Sequence, residues 1–126
     1  MENNDVVFLG TEIKLKISID PTVTAALENG KIVEKTITMS EYNFTIDFYC
    51  NSKKVIVASK KDTTLVNLMK LEDDNNSYIA FINTGDLDAG LLKCKITAYI
   101  PDEHFEDKIR TEVQIKDTGI NIIKTI

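Results

Sequence analysis

The sequence has 126 residues, of which 43% are hydrophobic and 28% charged, and its formal net charge is −5. These values are typical of one soluble domain with a single core, and the acidic balance argues against a nucleic-acid partner because phosphates would be repelled. The start of the chain is polar and acidic, and no apolar run approaches the length of a membrane span. We therefore expect a protein made in a cytoplasm, with no signal peptide and no membrane partner.

The first half of the chain alternates polar and apolar residues. Residues 11–20 show this most clearly, since Ile13, Leu15 and Ile17 alternate with charged or polar neighbours. Ile, Val and Thr together make up 38 of the 126 residues, and β-branched side chains favour strands. Further strands are predicted at residues 22–27 and 31–38 around an Asn29-Gly30 turn, at 43–50 after a connection between sheets, and at 55–59.

In the second half, residues 63–71 are ambiguous between a strand and a helical turn, and a strand with an irregular end is preferred. Residues 91–100 form the strongest strand, with Leu92, Cys94 and Ile96 on one face. Other strands are predicted at residues 78–83, 108–116 and 119–126. Short strands with turn signals every 8–12 residues predict an all-β fold, a single antiparallel immunoglobulin-like β-sandwich of about eight strands.

The run YIAFINT at residues 78–84 leads into Leu87 and Gly90, and a long strand, residues 91–102, follows. With Phe105 and residues 110–113, this layout resembles small virion proteins of tailed phages that infect Bacteroidales, including the crAss-like group. It is more distantly similar to the N-terminal domain of phage baseplate upper proteins. The resemblance covers residues 11–113, with its core at 78–110, and departs from the pattern in the longer segment at 22–38.

The resemblance implies a non-enzymatic structural component of a virion. Such proteins serve in the capsid, the head fibre or the tail baseplate, and act through protein–protein contacts. We expect the partners to be other capsid, fibre or baseplate subunits, and the chain to form homo-oligomers. The resemblance brings no catalytic residue and no cofactor. An alternative from another class is a bacterial β-sandwich module that binds a carbohydrate or a surface partner.

Cys50 and Cys94 both lie on apolar strand faces. They are either two reduced, buried thiols or an inter-sheet disulfide of the immunoglobulin kind, and a cytoplasmic protein without Trp favours the first. A nucleophilic cysteine would need His104, the single histidine, to reach a sulfur buried within a strand. We therefore predict no catalytic residue.

Two acidic segments invite a metal hypothesis. Residues 73–77 resemble the start of a calcium loop, but Tyr78 and Thr84 stand where an EF-hand requires Gly and Glu. Asp102, His104 and Glu106 would share one side of an extended segment, and a solvated acidic loop explains them equally well. No metal site is predicted.

Both ends of the chain raise a question about partners. Residues 1–10 are interpreted as an arm, either flexible or bound to a partner. Residues 119–126 are rich in Ile, and this last strand either completes the domain's own sandwich or pairs with another subunit. For the second alternative, the predicted interface residues are Ile120, Ile122, Ile123 and Ile126.

Overall fold

The computed structural model describes residues 5–51 and 53–124, and their fold is all-β. Two single 3-10 turns, at Met39–Glu41 and Thr84–Asp86, interrupt the strands. Eleven strands are present in the described residues: β1 (Asp5–Phe8), β2 (Glu12–Ser18), β3 (Thr22–Glu28), β4 (Lys31–Ile37), β5 (Asn43–Tyr49), β6 (Val55–Lys61), β7 (Thr64–Val66), β8 (Leu68–Lys70), β9 (Ser77–Asn83), β10 (Gly90–Pro101) and β11 (Ile109–Ile123).

The strands form three hydrogen-bonded sheets that enclose one core. The large sheet has the order β1-β11-β10-β5-β6-β7, the small sheet has the order β2-β9-β8, and β3 and β4 form a separate hairpin. All registered pairings in the described residues are antiparallel except that of β1 with β11, which is parallel. The prediction of a sandwich-like all-β fold is confirmed, while the immunoglobulin-like topology stays a prediction.

The core lies between the inner faces of the two larger sheets, as in other β-sandwiches. Strand β5 buries Phe44, Ile46 and Phe48, and strand β9 buries Tyr78 from the other side. The rings of Phe44 and Tyr78 meet edge to face, with centroids 5.3 Å apart. The strict alternation along these strands therefore places one apolar row inside and leaves the other row on the surface.

The segment predicted as one irregular strand, residues 63–71, forms two short strands that belong to different sheets. β7 pairs with β6 in the large sheet, and β8 pairs with β9 in the small sheet. Asn67, between them, has a φ of 54°, and its side-chain Nδ2 donates to the carbonyl oxygen of Val57 at 2.9 Å. Asn is tolerated in this left-handed conformation, so a single residue turns the corner between the layers.

The two C-terminal strands predicted at residues 108–116 and 119–126 are one strand, β11, in the structure. A register shift against β10 lies opposite the segment that suggested a turn. There Thr118 Oγ1 donates to the carbonyl oxygen of Leu92 at 2.7 Å, and Gly119 adopts a φ of 77°. The Asp-Thr-Gly sequence at residues 117–119 therefore makes an irregularity within the strand instead of ending it.

Thr84 ties the end of β9 to the turn between β1 and β2. Its hydroxyl is fully buried, donates to the carbonyl oxygen of Thr11 at 2.7 Å and accepts from the backbone N–H of Gly10 at 2.9 Å. The threonine at the end of the YIAFINT run therefore has a structural role, since its buried hydroxyl hydrogen-bonds to backbone groups of the neighbouring turn.

Replacement of Thr84 by Val, which removes the hydroxyl at nearly constant volume, is expected to lower the free energy of unfolding by about 1–3 kcal/mol because the Gly10 N–H loses its partner. Urea unfolding followed by circular dichroism measures the change. Thr84→Ser is the control, since it keeps the hydroxyl and loses one methyl group. A Ser variant that loses more stability than the Val variant would contradict this assignment.

Candidate interaction surface

The outer face of the large sheet carries a broad apolar surface. Strand β10 buries the row from Leu92 to Ile100 and points the intervening residues outward, and cross-strand register places their neighbours on the same face. Val113 faces Thr97, and Ile115 faces Lys95. The large hydrophobic side chains exposed on this outer face are Val6, Phe8, Val55, Val57, Val66, Leu91, Tyr99, Ile109, Val113 and Ile115.

Charges on the outer face are few and balanced at its centre. Lys95 on β10 lies directly opposite Asp47 on β5, and Asp47 lies opposite Val57 on β6. Thr97 lies opposite Thr45 in the next row. Large patches of exposed apolar residues are uncommon on monomeric proteins and mark contact surfaces. The arrangement fits contact with another protein through a sheet face that is mostly neutral.

One edge of the large sheet is open beside this face. β1 pairs with β11 only at residues 120–123, and β10 covers the other side of β11. In the described residues, no registered strand pairs with residues 109–116 on the side away from β10. We call residues 109–116 the β11 edge. A free strand edge presents unpaired backbone N–H and C=O groups, which another strand can complete.

The predicted interface residues at the chain end lie elsewhere. Ile120 and Ile122 are buried in this chain's own core, and Ile123 is partly buried beside β1. Ile126 lies outside the described residues. Of the two alternatives for the last strand, the structure places this part of it in the domain's own sandwich, because β1 and β10 flank it on both sides. Ile120 and Ile122 are therefore not available to a partner in this arrangement.

The segment interpreted as an N-terminal arm forms part of the sheet. Asp5–Phe8 is β1, and it pairs in parallel with residues 120–123 of the same chain, while residues 1–4 lie outside the described residues. Val7 packs against the core, whereas Val6 and Phe8 are exposed. The arm interpretation missed this pairing because a four-residue strand carries little periodicity and a parallel partner is distant in sequence.

The acidic loop that follows β10 fastens the β3–β4 hairpin to the sandwich. Asp102 is buried, and one carboxylate oxygen, Oδ2, accepts from Arg110 Nη1 while the other accepts from the backbone N–H of His104 at 3.0 Å. Arg110 Nη2 also donates to the carbonyl oxygen of Val23 at 3.1 Å, and Thr24 donates to that of Pro101. The loop therefore bridges the large sheet and the hairpin.

Asp102 and Asp74, one in each of the two acidic segments considered as metal sites, bind protein groups. In the described residues, no three His, Cys, Asp or Glu side chains come together in a way that could hold a metal ion. Asp102 is occupied by Arg110, and His104 Nδ1 lies 4.0 Å from its carboxylate. In the calcium-like loop, Asp74 accepts from the Asn76 N–H at 2.8 Å and from the Ser77 hydroxyl at 2.7 Å. These bonds build a turn and lower the pKa of Asp74, the bond from Ser77 most of all.

Both cysteines are free, buried thiols. Cys94 lies on β10 opposite Phe48 of β5, and Cys50 follows the end of β5, so the two sulfurs belong to one side of the sandwich. The alternative of an inter-sheet disulfide is therefore wrong, because Cys94 lies in β10 and Cys50 directly follows β5, and these are neighbouring strands of one sheet. Burial raises the pKa of both thiols. His104 lies beyond the far end of β10, about 20 Å or more along the strand from Cys94.

Comparison with protein-family models, with curated proteins and with solved structures finds no match to this chain. In the part of the chain that the structure describes, no helix combines the length and the apolar character needed to span a membrane. The outer face and the β11 edge are therefore the features from which a function can be inferred. The alternation of Val113 and Ile115 with Gln114 and Lys116 was the sequence signal for this surface, although it does not say which row faces outward.

Proposed function

We propose that this protein is a non-enzymatic structural component of a tailed-bacteriophage virion. It is made in the host cytoplasm and docks onto other capsid, head-fibre or baseplate subunits through protein–protein contacts. The observation that carries the proposal is the exposed apolar outer face, where Val113 and Ile115 are 54% and 64% exposed. The resemblance of residues 78–110 to small virion proteins supports the assignment to a virion.

The strands that carry the outer face are held rigidly, which suits a docking role. β5 and β10 are paired on both sides, and their inner rows are buried over their whole length. A face supported in this way loses little conformational freedom when a partner binds, which favours affinity. The outer face also presents Thr, Val and Ile side chains, which are stiff about χ1 and lose little entropy on burial.

Particle association tests the proposal. Gradient-purified phage particles from the source culture are analysed by quantitative mass spectrometry, normalised to the portal protein. We expect this chain at a reproducible multiple of the portal, and the multiple distinguishes a capsid position from a tail or baseplate position. If the chain is abundant in cells and absent from particles, the proposal fails, and the bacterial binding module becomes the working hypothesis.

A substitution on the outer face gives a second prediction. Val57→Asp places a charge on the exposed face, 45% exposed in the parent, and is expected to reduce incorporation into particles at least about tenfold by desolvation of the charge at the contact. Complementation of a phage that lacks the gene measures incorporation. Val23→Asp, at a comparably exposed position on the β3–β4 hairpin, is the matched control. Equal losses for the two variants would contradict a role of the outer face.

A further inference from the structure

We propose that the β11 edge is a self-association surface, at which β11 of one copy pairs antiparallel with β11 of a second copy. The two-fold axis passes through Gln114, and the pairing joins two six-stranded sheets into one continuous sheet. This inference goes beyond the proposed function, because it assigns the surface and the register at which two copies of the chain pair. It does not depend on the virion assignment and is tested on the purified protein.

The β11 edge carries the charged residues Arg110, Glu112 and Lys116, but it lacks a proline and a bulge, two of the features that protect many strand edges. β11 is 15 residues long and contains no proline, and its irregularity lies at residues 117–119, outside the edge. Ile115, at 64%, is the most exposed large hydrophobic side chain in the described residues. Long, apolar, unblocked edges are the ones that pair with other chains. The edge therefore has both the backbone groups and the apolar side chains that a partner strand would cover.

The charges of the β11 edge favour a second copy of the chain as the partner strand. The edge and its next residue hold Arg110, Glu112, Lys116 and Asp117, so the segment has no net charge although the whole chain carries −5. Two copies can therefore approach here without the repulsion that the acidic balance creates elsewhere.

The charges also select a register. With the axis at Gln114, Glu112 of each copy lies opposite Lys116 of the other, and Val113 lies opposite Ile115. Opposite charges and β-branched pairs placed directly across two strands both stabilise a sheet. The Glu112 carboxylate is held by the Arg110 side chain, with the Nε at 3.0 Å and the Nη2 at 2.8 Å. It is therefore already ordered before the second copy arrives.

Neighbouring registers are less favourable. An axis at Val113 places Arg110 opposite Lys116, and an axis at Glu112 places two carboxylates face to face. An axis at Ile115 leaves Val113 opposite Asp117. Like charges directly across two strands destabilise the pairing, and so the axis at Gln114 is the self-complementary choice.

The first test is the mass of the purified chain by sedimentation equilibrium from about 1 µM to about 100 µM. We expect twice the chain mass at the upper end, and at least about a tenfold weaker dimer for Ile115→Lys, since a lysine at this position blocks edge pairing. Val57→Lys, on the same face two strands beyond β10, is the control and is expected to remain dimeric. A monomeric wild type over the whole range would overturn the proposal, as would an Ile115→Lys dimer of unchanged strength.

Cysteine cross-linking tests the register and does not rely on a destabilising variant. Gln114→Cys places two thiols directly across the two-fold axis, within the separation that a disulfide spans, and is expected to form a covalent dimer on mild oxidation. Thr111→Cys on the same strand lies about 20 Å from its counterpart in this register and is expected to remain monomeric on a denaturing gel. The native Cys50 and Cys94 are buried. Equal cross-linking of the two variants, or none for Gln114→Cys, would overturn the register.

Discussion

Replacement of Phe44 by Ala is expected to lower the free energy of unfolding by about 3–5 kcal/mol, the usual cost of removing a large aromatic ring from a core. The Phe44 side chain is 1% exposed and lies at the centre of an aromatic row. Its ring centroid is 6.2 Å from that of Tyr42 and 5.3 Å from that of Tyr78, both in edge-to-face geometry. The substitution therefore loses the transfer free energy of the ring, opens a cavity and removes two aromatic contacts.

Chemical unfolding in urea, monitored by tyrosine fluorescence and circular dichroism, measures this loss. Phe105→Ala is the matched control, because the same ring is removed from a side chain that is 45% exposed. We expect the control to change the free energy of unfolding by less than about 1 kcal/mol. Similar losses for both variants would show that Phe44 does not lie in the core between the two sheets.

The second large effect concerns the loop that fastens the hairpin. Asp102→Asn is expected to destabilise the fold at neutral pH and to make its stability less sensitive to acid. The backbone N–H of His104 and the guanidinium of Arg110 hold the pKa of Asp102 below its usual range, against the opposing effect of burial. Loss of the carboxylate charge leaves Arg110 without its buried partner next to Val23 and Thr22.

The direction of the pH dependence follows from the lowered pKa. A carboxyl group whose pKa is lower in the folded state stabilises the fold above its unfolded pKa, about 3.9, and loses this effect as the pH falls through the folded value. Thermal unfolding between about pH 7 and pH 3 should therefore show a smaller drop in Tm for Asp102→Asn than for the parent protein. Asp107→Asn, in the same loop but exposed, should follow the parent. A Tm profile of the Asp102→Asn variant that runs parallel to the parent's would contradict the assignment.

Much of the fold could be predicted from the sequence because the central strands are covered on one face only. β5 and β10 alternate strictly, so their periodicity gave both their bounds and their inner residues. The turn at Asn29-Gly30 could also be predicted, because this dipeptide favours the positive φ angles of a tight hairpin. Both residues adopt a positive φ in the structure. These features depend on residues close together in the chain, and such local patterns can be read from a single sequence.

The remaining features depend on contacts between distant parts of the chain. β1 is four residues long and is recognised only by its parallel partner more than a hundred residues away. The corner at Asn67 depends on the sheet that each of its flanking strands joins. Residues 117–119 have the composition of a turn, and only the partner strand β10 shows that they form an irregularity within β11.

The position of the candidate surface had the same limitation. Both Ile122 and Ile115 belong to an apolar row of the last strand, but the first lies in the core and the second is exposed. Hydrophobicity alone suggested the chain end as the interface. The difference arises because Ile115 lies opposite Lys95 on the outer face, whereas Ile122 lies opposite Val7 on the inner face, and only the strand pairings show which face each residue takes.

Cross-linking mass spectrometry on intact, gradient-purified phage particles tests most directly the central claim that this sandwich acts in the virion through its outer face. Lys93 and Lys95 lie on that face and are exposed, while Lys14 lies on the opposite sheet and is also exposed. We predict cross-links from Lys93 or Lys95 to a different virion protein, and fewer from Lys14. Absence of the chain from the particles, or partner cross-links confined to Lys14, would contradict the account.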